Sequence, residues 1–349
     1  MVSSGINKIG IIGAGRMGTD IFNFLTAFDY ELVLICIDDA ESQTLQQSFE
    51  KRIRRQHKCG ILNEQQLLAK QQSVVISHQI NSLENCDLII ECIWEDIAKK
   101  KLMYQEIIPV IKSSCILASN SSSFLPSQLL PCATMIQRFV GLHFFYPVKL
   151  KNIVELITPG SISAETITAL KDFCRKTEKK PLVQDEKNAF WLNKLFLEVQ
   201  NEAFCIAAEG KMSYEEIDTI VSEQLFPEGI FRFFDQVGID IMLQSIRNYT
   251  ASNSAPYQLM IAKLESLQSK KHLGVKTRDG FYHYEEPRTG TDKRSLPENQ
   301  HITEVLARLK KAYTGKAQQL INEGACDKET LDYAAKEYMN TDKGPFDLG

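Results

Sequence analysis

Short apolar runs alternate with longer amphipathic segments in the first half of the chain. This alternation is typical of a parallel sheet with crossover helices. The strand candidates are Lys8–Ile12, Leu32–Ile37, Val74–Ser77, Asp87–Cys92, Cys115–Ala118 and Phe139–Phe145, with Ile153–Ile157 and Pro181–Val183 as possible extensions of the sheet. Segments of helical length and periodicity lie between them, at Asp20–Phe28, Thr44–Lys58 and Lys99–Ile111. The pattern predicts a doubly wound α/β domain over residues 1–184.

The strand signals stop after about residue 184, and helical periodicity takes over. The helix candidates are Phe190–Glu209, Tyr214–Gln224, Ile239–Tyr249 and Tyr257–Ser269. Residues 185–285 are therefore predicted to form an all-helical C-terminal domain.

A third region, 286–349, begins with a polar stretch rich in Pro, Gly and Thr, Pro287–Gln300, which predicts a linker. Helical periodicity resumes over Ile302–Ile321. The segments Glu209-Gly210, Ile217-Asp218 and Gly229-Ile230-Phe231 are echoed by Glu323-Gly324, Leu331-Asp332 and Gly344-Pro345-Phe346. These echoes favour a truncated second copy of the helical domain, with a chance match of common residues as the alternative.

The composition is that of an ordinary globular protein and excludes few functions. With 349 residues the chain is long enough for two domains, and its formal net charge of −4 favours neither nucleic acid nor an anionic membrane as partner. The nine cysteines are odd in number and form no Cys-x-x-Cys pair, which indicates free thiols in a reducing compartment. No metal site is predicted. No apolar run reaches the length of a membrane span, so we expect the cytoplasm.

The glycine motif Gly13-Ala14-Gly15-Arg16-Met17-Gly18 follows the first predicted strand and opens a helix. In that context it is the fingerprint of a Rossmann-type dinucleotide site, with the pyrophosphate at the helix N-terminus. The second strand leads to Asp38, twenty residues after Gly18, where an acid would bind the ribose hydroxyls. No arginine lies beside Asp38 to accept a 2′-phosphate. The predicted cofactor is NAD.

His143 lies among apolar residues at the end of a predicted strand, and Glu155 follows twelve positions later. A neutral imidazole can accept a hydroxyl proton, and a carboxylate on its other nitrogen supports the charge that forms. From the residues alone, a satisfied structural histidine remains the alternative.

Three segments resemble the active-site segments of the 3-hydroxyacyl-CoA dehydrogenases of the 3-hydroxybutyryl-CoA dehydrogenase type, and the likeness spans about residues 6–284. They are Ser119-Asn120-Ser121-Ser122-Ser123, Gly141-Leu142-His143-Phe144-Phe145-Tyr146-Pro147 and Phe190-Trp191-Leu192-Asn193-Lys194-Leu195. By matching position, the resemblance implies Ser122, His143, Glu155 and Asn193 as catalytic residues. It implies Gly13, Gly15, Met17, Gly18, Asp38, Glu95, Lys100 and Asn120 as cofactor-binding residues.

The reaction that the resemblance implies is the oxidation of a (3S)-3-hydroxyacyl-CoA to the 3-oxoacyl-CoA, or the reverse. His143 would take the proton of the 3-hydroxyl, and Glu155 would orient it. Ser122 and Asn193 would bind substrate oxygens, in a site between the two domains. A homodimer through the helical domains is the family expectation, although a duplicated helical domain can replace the partner's.

A basic run on the second predicted helix includes Arg52, Arg55 and Lys58. We interpret it either as a solvated surface or as a docking site for the phosphates of coenzyme A, as the resemblance implies. Two departures from the family concern specificity: Tyr146 stands where the family has Asn, and Asn188-Ala189 replaces a Pro-Gly pair. Asn188 is a possible cap for the helix that carries Asn193.

Two other functions compete with the acyl-CoA dehydrogenase. One is a dehydrogenase of free hydroxy acids, such as the gulonate or carnitine enzymes, which lack the paired phenylalanines that follow His143. The other is a non-catalytic NAD-binding relative that kept only the fold.

Overall fold

The computed structural model describes residues 5–251, 253–284 and 300–348, and it divides the chain into two units, Met1–Ala189 and Phe190–Gly349. The predicted linker lies outside the described residues, apart from its last residue. The helices of the C-terminal region belong to the second unit.

The first unit is built on one eight-stranded sheet. Its strands are β1 (Lys8–Ile12), β2 (Glu31–Ile35), β3 (Val74–Ser77), β4 (Leu88–Glu91), β5 (Ile116–Ser119), β6 (Phe139–Phe144), β7 (Ile153–Thr158) and β8 (Lys180–Asp185). Their order is β3-β2-β1-β4-β5-β6-β7-β8, and all neighbours are parallel except β6 and β7. All eight predicted strands are present. The strand order reverses direction between β1 and β4, which is where ligands bind in open α/β sheets.

Six α-helices lie in the described part of this unit. They are α1 (Arg16–Leu25), α2 (Asp39–Lys58), α3 (Glu64–Ser73), α4 (Ile97–Ile107), α5 (Pro126–Leu129) and α6 (Ala164–Lys176). Helix α1 begins four residues earlier than predicted because it starts directly after the glycine turn. Helix α3 was not predicted, since it buries no residue and so has no apolar stripe. Helix α6 was also missed, although Ser163 caps it through the Thr166 N–H at 3.1 Å.

The central strands are apolar on both faces because helices cover both sides of the sheet. Side chains alternate between the two faces of a strand. Ile9 and Ile11 belong to one core cluster, together with Leu88 and Ile90. Ile89, between the last two, belongs to the cluster on the opposite side. The loops at the carboxyl ends of these strands are thus held by a rigid, fully buried scaffold.

The second unit is all-helical within its described residues. Its α-helices are α7 (Trp191–Ala208), α8 (Tyr214–Gln224), α9 (Ile230–Val237), α10 (Ile239–Tyr249), α11 (Gln258–Ser269), α12 (Gln300–Asn322) and α13 (Lys328–Met339). Helix α7 is central: α8, α11, α12 and α13 all pack against it. Helices α9 and α13 were not predicted as elements. No helix in the described part of the chain combines the length and apolar character of a membrane span.

The two segments of the internal repeat share a local geometry. A Cβ on Gly229 would lie 2.4 Å from Cγ of Asp218, and a Cβ on Gly344 would lie 2.4 Å from Cγ of Asp332. In both cases an aspartate of one helix lies against a glycine at the start of the next helical turn. This close approach explains why the two segments share an aspartate and a glycine at nearly the same spacing.

Candidate active site

The three glycines at the junction of β1 and α1 differ in how much space surrounds them. Gly13 has φ of 98°, and a Cβ there would lie 2.9 Å from the Cys92 carbonyl oxygen. A Cβ on Gly18 would lie 1.8 Å from the Gly13 carbonyl oxygen. Around Gly15, by contrast, no atom lies within 4 Å of an added Cβ. Gly13 and Gly18 are therefore required by the fold, whereas the space at Gly15 suits a ligand phosphate at the α1 N-terminus.

Asp38 occupies the position after β2 that the sequence predicts for the ribose-binding acid. Its carboxylate caps α2, with Oδ1 accepting a hydrogen bond from the Glu41 N–H at 2.8 Å. Asp38 is exposed, so its second oxygen is accessible to a ligand. Met17, the second residue of α1, is partly buried and packs against the core.

A buried ionic network lies behind the loop that follows β4. Lys100 is only 1% exposed, and its Nζ donates to Glu91 Oε1 at 2.6 Å. It also lies 3.3 Å from Glu95 Oε2. Burial alone would lower the pKa of Lys100, but the Glu91 and Glu95 carboxylates raise it above its ordinary value, so the ammonium is charged at neutral pH. Lys100 is therefore a buried residue that orients the Glu95 carboxylate through this ion pair.

Glu95 in turn holds the serine turn that follows β5. Its Oε1 accepts hydrogen bonds from Ser121 Oγ at 2.7 Å and from the Ser122 N–H at 2.9 Å. Asn120 fastens the same turn to β6, because its Oδ1 accepts from the Phe144 N–H at 2.8 Å. The predicted cofactor residues Glu95 and Asn120 thus bring Ser122 to the sheet edge where β6 carries His143.

His143 and Glu155 face each other across the antiparallel pair of β6 and β7. His143 Nδ1 lies 2.7 Å from Glu155 Oε2, and Glu155 is fully buried. A carboxylate only accepts hydrogen bonds, so Nδ1 carries the proton of this hydrogen bond and Nε2 is the ring nitrogen that can act as a base. The arrangement is that of a general base oriented by a buried carboxylate.

Gln184 is a residue of this site that the sequence analysis missed. Its Nε2 donates to Glu155 Oε1 at 2.9 Å, so both oxygens of the buried carboxylate have partners. On β8, Leu182 and Gln184 are buried whereas Val183 is exposed. This alternation of burial is typical of a strand, but the predicted strand ended at Val183, two residues before the end of β8, and so left out Gln184.

In the helical unit, Asn193 lies in the first turn of α7. Its Nδ2 donates to Tyr249 Oη at 2.7 Å, and its Oδ1 accepts from Tyr338 Oη at 3.3 Å. The expectation that Asn188 caps α7 is wrong. The cap position is Phe190, in a left-handed conformation with no side-chain cap, and the Asn188 N–H instead donates to Asp185 Oδ1 at 2.8 Å.

Tyr146, the departure from the family pattern, contacts the glycine turn. The guanidinium of Arg16 lies 4.0 Å from the centre of the Tyr146 ring, in cation–π geometry. The tyrosine is half-exposed beside the segment that carries His143. It therefore borders the predicted cofactor turn, and it lies three residues after the proposed base in the chain.

The basic residues of α2 separate into two groups. Arg52 is half-buried and donates to Asn23 Oδ1 and to Thr26 Oγ1, so its guanidinium already has partners on α1 and directly after it. Arg55 and Lys58 are exposed on one side of α2, together with Lys51 and Arg54. Only the exposed group presents charge to a ligand.

Comparison with known proteins identifies the family of this chain. Residues 8–187 match the 3-hydroxyacyl-CoA dehydrogenase NAD binding domain, and residues 190–284 match the 3-hydroxyacyl-CoA dehydrogenase C-terminal domain. The chain belongs to the 3-hydroxyacyl-CoA dehydrogenase family. It is an NAD-dependent oxidoreductase of that family, which confirms the predicted cofactor and fold class.

Individual members of the family match most of the chain. It is 29% identical over 284 residues to a 3-hydroxybutyryl-CoA dehydrogenase of Bradyrhizobium diazoefficiens, covering 80% of this chain and 96% of that protein. The crystal structure of (S)-3-hydroxybutyryl-CoA dehydrogenase from Ralstonia eutropha matches with a TM-score of 0.72 and 28% identity, over 81% of this chain and all of that one.

One comparison extends into the C-terminal region. The 3-hydroxybutyryl-CoA dehydrogenase structure from Escherichia coli has a TM-score of 0.82 at 16% identity, covering 98% of this chain and 90% of that one. At this identity the match concerns the fold alone. At 98% coverage of this chain it includes the helices beyond residue 300, so the fold of the C-terminal region also occurs in that protein.

Proposed function

We propose that the protein oxidises a (3S)-3-hydroxyacyl-CoA to the 3-oxoacyl-CoA, or catalyses the reverse reduction, with His143 as general base or acid. The observation that carries this proposal is the 2.7 Å contact of His143 Nδ1 with the buried carboxylate of Glu155. This contact supports an oriented imidazole whose Nε2 would accept the proton of the 3-hydroxyl. General-base assistance of this kind is worth about 10²–10⁴ in rate.

The proton and the hydride leave the substrate in the same step. His143 removes the hydroxyl proton, and the imidazolium that forms is stabilised by Glu155, whose other oxygen is held by Gln184. NAD, when bound, supplies the hydride acceptor for C3. In the direction of reduction, the protonated His143 would return its proton to the substrate oxygen.

The glycine turn and its neighbours are the residues that would hold NAD. Gly15 and the N-terminus of α1 suit the pyrophosphate, and Asp38 suits the adenosine ribose. Glu95 and Asn120 support the serine turn on the nicotinamide side. We propose that Met17 lies in the same cofactor site.

Ser122 and Asn193 are proposed to bind the hydroxyl or thioester oxygen of the substrate and so to stabilise the charge that develops there. For coenzyme A, the exposed Arg55 and Lys58 suit its phosphates better than Arg52, because Arg52 is paired with Asn23 and Thr26. We propose on this basis a role in acyl-CoA metabolism, such as that of fatty acids.

The test is a comparison of substrates with the purified protein and NADH. We expect absorbance at the nicotinamide band to fall with acetoacetyl-CoA and to stay constant with free acetoacetate. Turnover of the free acid alone would favour a hydroxy-acid dehydrogenase. No turnover of any acyl-CoA chain length would favour a non-catalytic NAD-binding protein.

We further propose a cytoplasmic homodimer that associates through the helical unit. The family resemblance supports the dimer, and the nine free thiols support a reducing compartment. Light scattering distinguishes a dimer from a monomer, because the dimer has twice the mass of one chain. A monomer at micromolar concentration would contradict this part of the proposal.

A further inference from the structure

The C-terminal extension, defined here as residues 300–348, packs on the helix that carries Asn193. Arg308 of α12 forms ion pairs with Glu202 of α7 at 2.6 Å and with Glu209, the residue directly after α7, at 2.7 Å. The ring of Tyr313 lies with its centre 5.4 Å from that of Phe196, also on α7. Helix α12 is thus joined to α7 by both apolar and ionic contacts.

Helix α13 brings a further tyrosine to the first turn of α7. Tyr338 Oη donates to Asn193 Oδ1 at 3.3 Å. Its ring centre lies 5.0 Å from that of Phe196, one turn further along α7. The ring contact fixes where the hydroxyl points, so the hydrogen bond depends on the docking of the extension.

Asn193 is held from its other side by Tyr249, whose Oη accepts from Nδ2 at 2.7 Å. A side-chain amide can donate two hydrogen bonds and accept two. The two tyrosines engage one N–H and one lone pair. The second N–H and the second lone pair then point in directions that the two tyrosines determine, which is the preorganisation that a substrate-binding amide needs.

We propose that Tyr338 is a positioning residue for Asn193, so that the C-terminal extension takes part in substrate binding by the dehydrogenase. The inference rests on the proposed function, because it concerns the substrate contact assigned there to Asn193. It goes beyond that function by giving the extension a role in the reaction. Tyr338 acts through Asn193 and is not itself a catalytic residue.

The substitution Tyr338→Phe tests this role because it removes the hydroxyl and keeps the ring that packs on Phe196. Loss of one hydrogen bond predicts a fall of about 3- to 10-fold in kcat/KM for acetoacetyl-CoA. The KM for NADH and the midpoint of urea unfolding should equal those of the wild type. Tyr249→Phe should reduce kcat/KM in the same way.

Tyr313→Phe is the matched control. Tyr313 is a fully buried tyrosine of the same extension, and its hydroxyl has no hydrogen-bond partner among the described residues. Removing that hydroxyl should leave kcat/KM for acetoacetyl-CoA unchanged. A general effect of altering the extension would instead appear in both variants.

A double-mutant cycle separates positioning from a merely structural effect. In an Asn193→Ala background, Tyr338→Phe should have no further effect on kcat/KM. An equal loss in both backgrounds, or wild-type kinetics for Tyr338→Phe, would overturn the inference while leaving the proposed function intact. A wild-type protein that turns over no acyl-CoA would overturn both.

Discussion

At the residue scale, the site depends on cross-strand pairing. Residues that face each other on antiparallel strands have close side chains, so the twelve-residue spacing of His143 and Glu155 encodes their contact once β6 and β7 pair. The two residues could be predicted as a pair from this spacing and from the family resemblance. Gln184 could not be found in that way, because its partner lies on a strand joined to β8 through an intervening helix.

The contribution of Gln184 is measurable as stability. Replacing it by Leu removes the donor to Glu155 Oε1 and leaves a fully buried carboxylate oxygen without that partner. We expect Gln184→Leu to lower the free energy of unfolding by about 1–3 kcal/mol, measured by urea denaturation at pH 7. The neighbouring exposed Val183, changed to Ala, should stay within about 0.5 kcal/mol of the wild type. Equal stability of both variants would contradict the proposed support of Glu155.

At the scale of elements, the sequence predicted those whose pattern is set locally. All eight strands were predicted, and the central ones are the clearest because strands buried on both faces are short apolar runs bounded by turns. Helix α3 has no buried stripe, α9 has only eight residues, and α13 follows another helix after a short break. Periodicity alone therefore did not identify these three helices.

The glycine turn provides a test with an internal control. An added Cβ at Gly15 meets no atom within 4 Å, and its φ of −66° suits any residue. Gly15→Ala should therefore keep wild-type thermal stability but bind NADH at least about tenfold more weakly, because the methyl group occupies the phosphate position. Gly18→Ala should instead unfold at lower temperature, since its Cβ would lie 1.8 Å from the Gly13 carbonyl oxygen.

Tryptophan fluorescence can follow this binding. Trp94, just after β4, is 65% exposed, whereas Trp191 is buried. A Gly15→Ala variant with unchanged NADH affinity would show that the open space at Gly15 has another use.

At the scale of the whole molecule, the resemblance covered the chain up to about residue 284, and the internal repeat indicated more helices beyond it. The sequence does not determine how that extension packs, because a second copy of a helical segment can pack on a partner subunit or on its own subunit. In the structure α12 lies on α7 of the same chain, with Leu309 fully buried. The choice depends on long-range contacts that no local pattern encodes.

Two adjacent residues of α12 separate apolar packing from ion pairing. We expect Leu309→Ala to lower the unfolding free energy of the helical unit by about 2–5 kcal/mol. Arg308→Ala should lower it by about 1 kcal/mol or less, because the ion pairs are partly exposed. Both changes in unfolding free energy are to be measured by thermal or urea unfolding. A larger loss for Arg308→Ala than for Leu309→Ala would mean that charge, not burial, holds the extension.

The central claim is that His143 moves the substrate proton, and its most direct test is the His143→Ala variant in the NADH and acetoacetyl-CoA assay. The account predicts a fall in kcat of about 10²–10⁴, with the Kd for NADH and the unfolding midpoint unchanged. Wild-type turnover by His143→Ala would contradict the account.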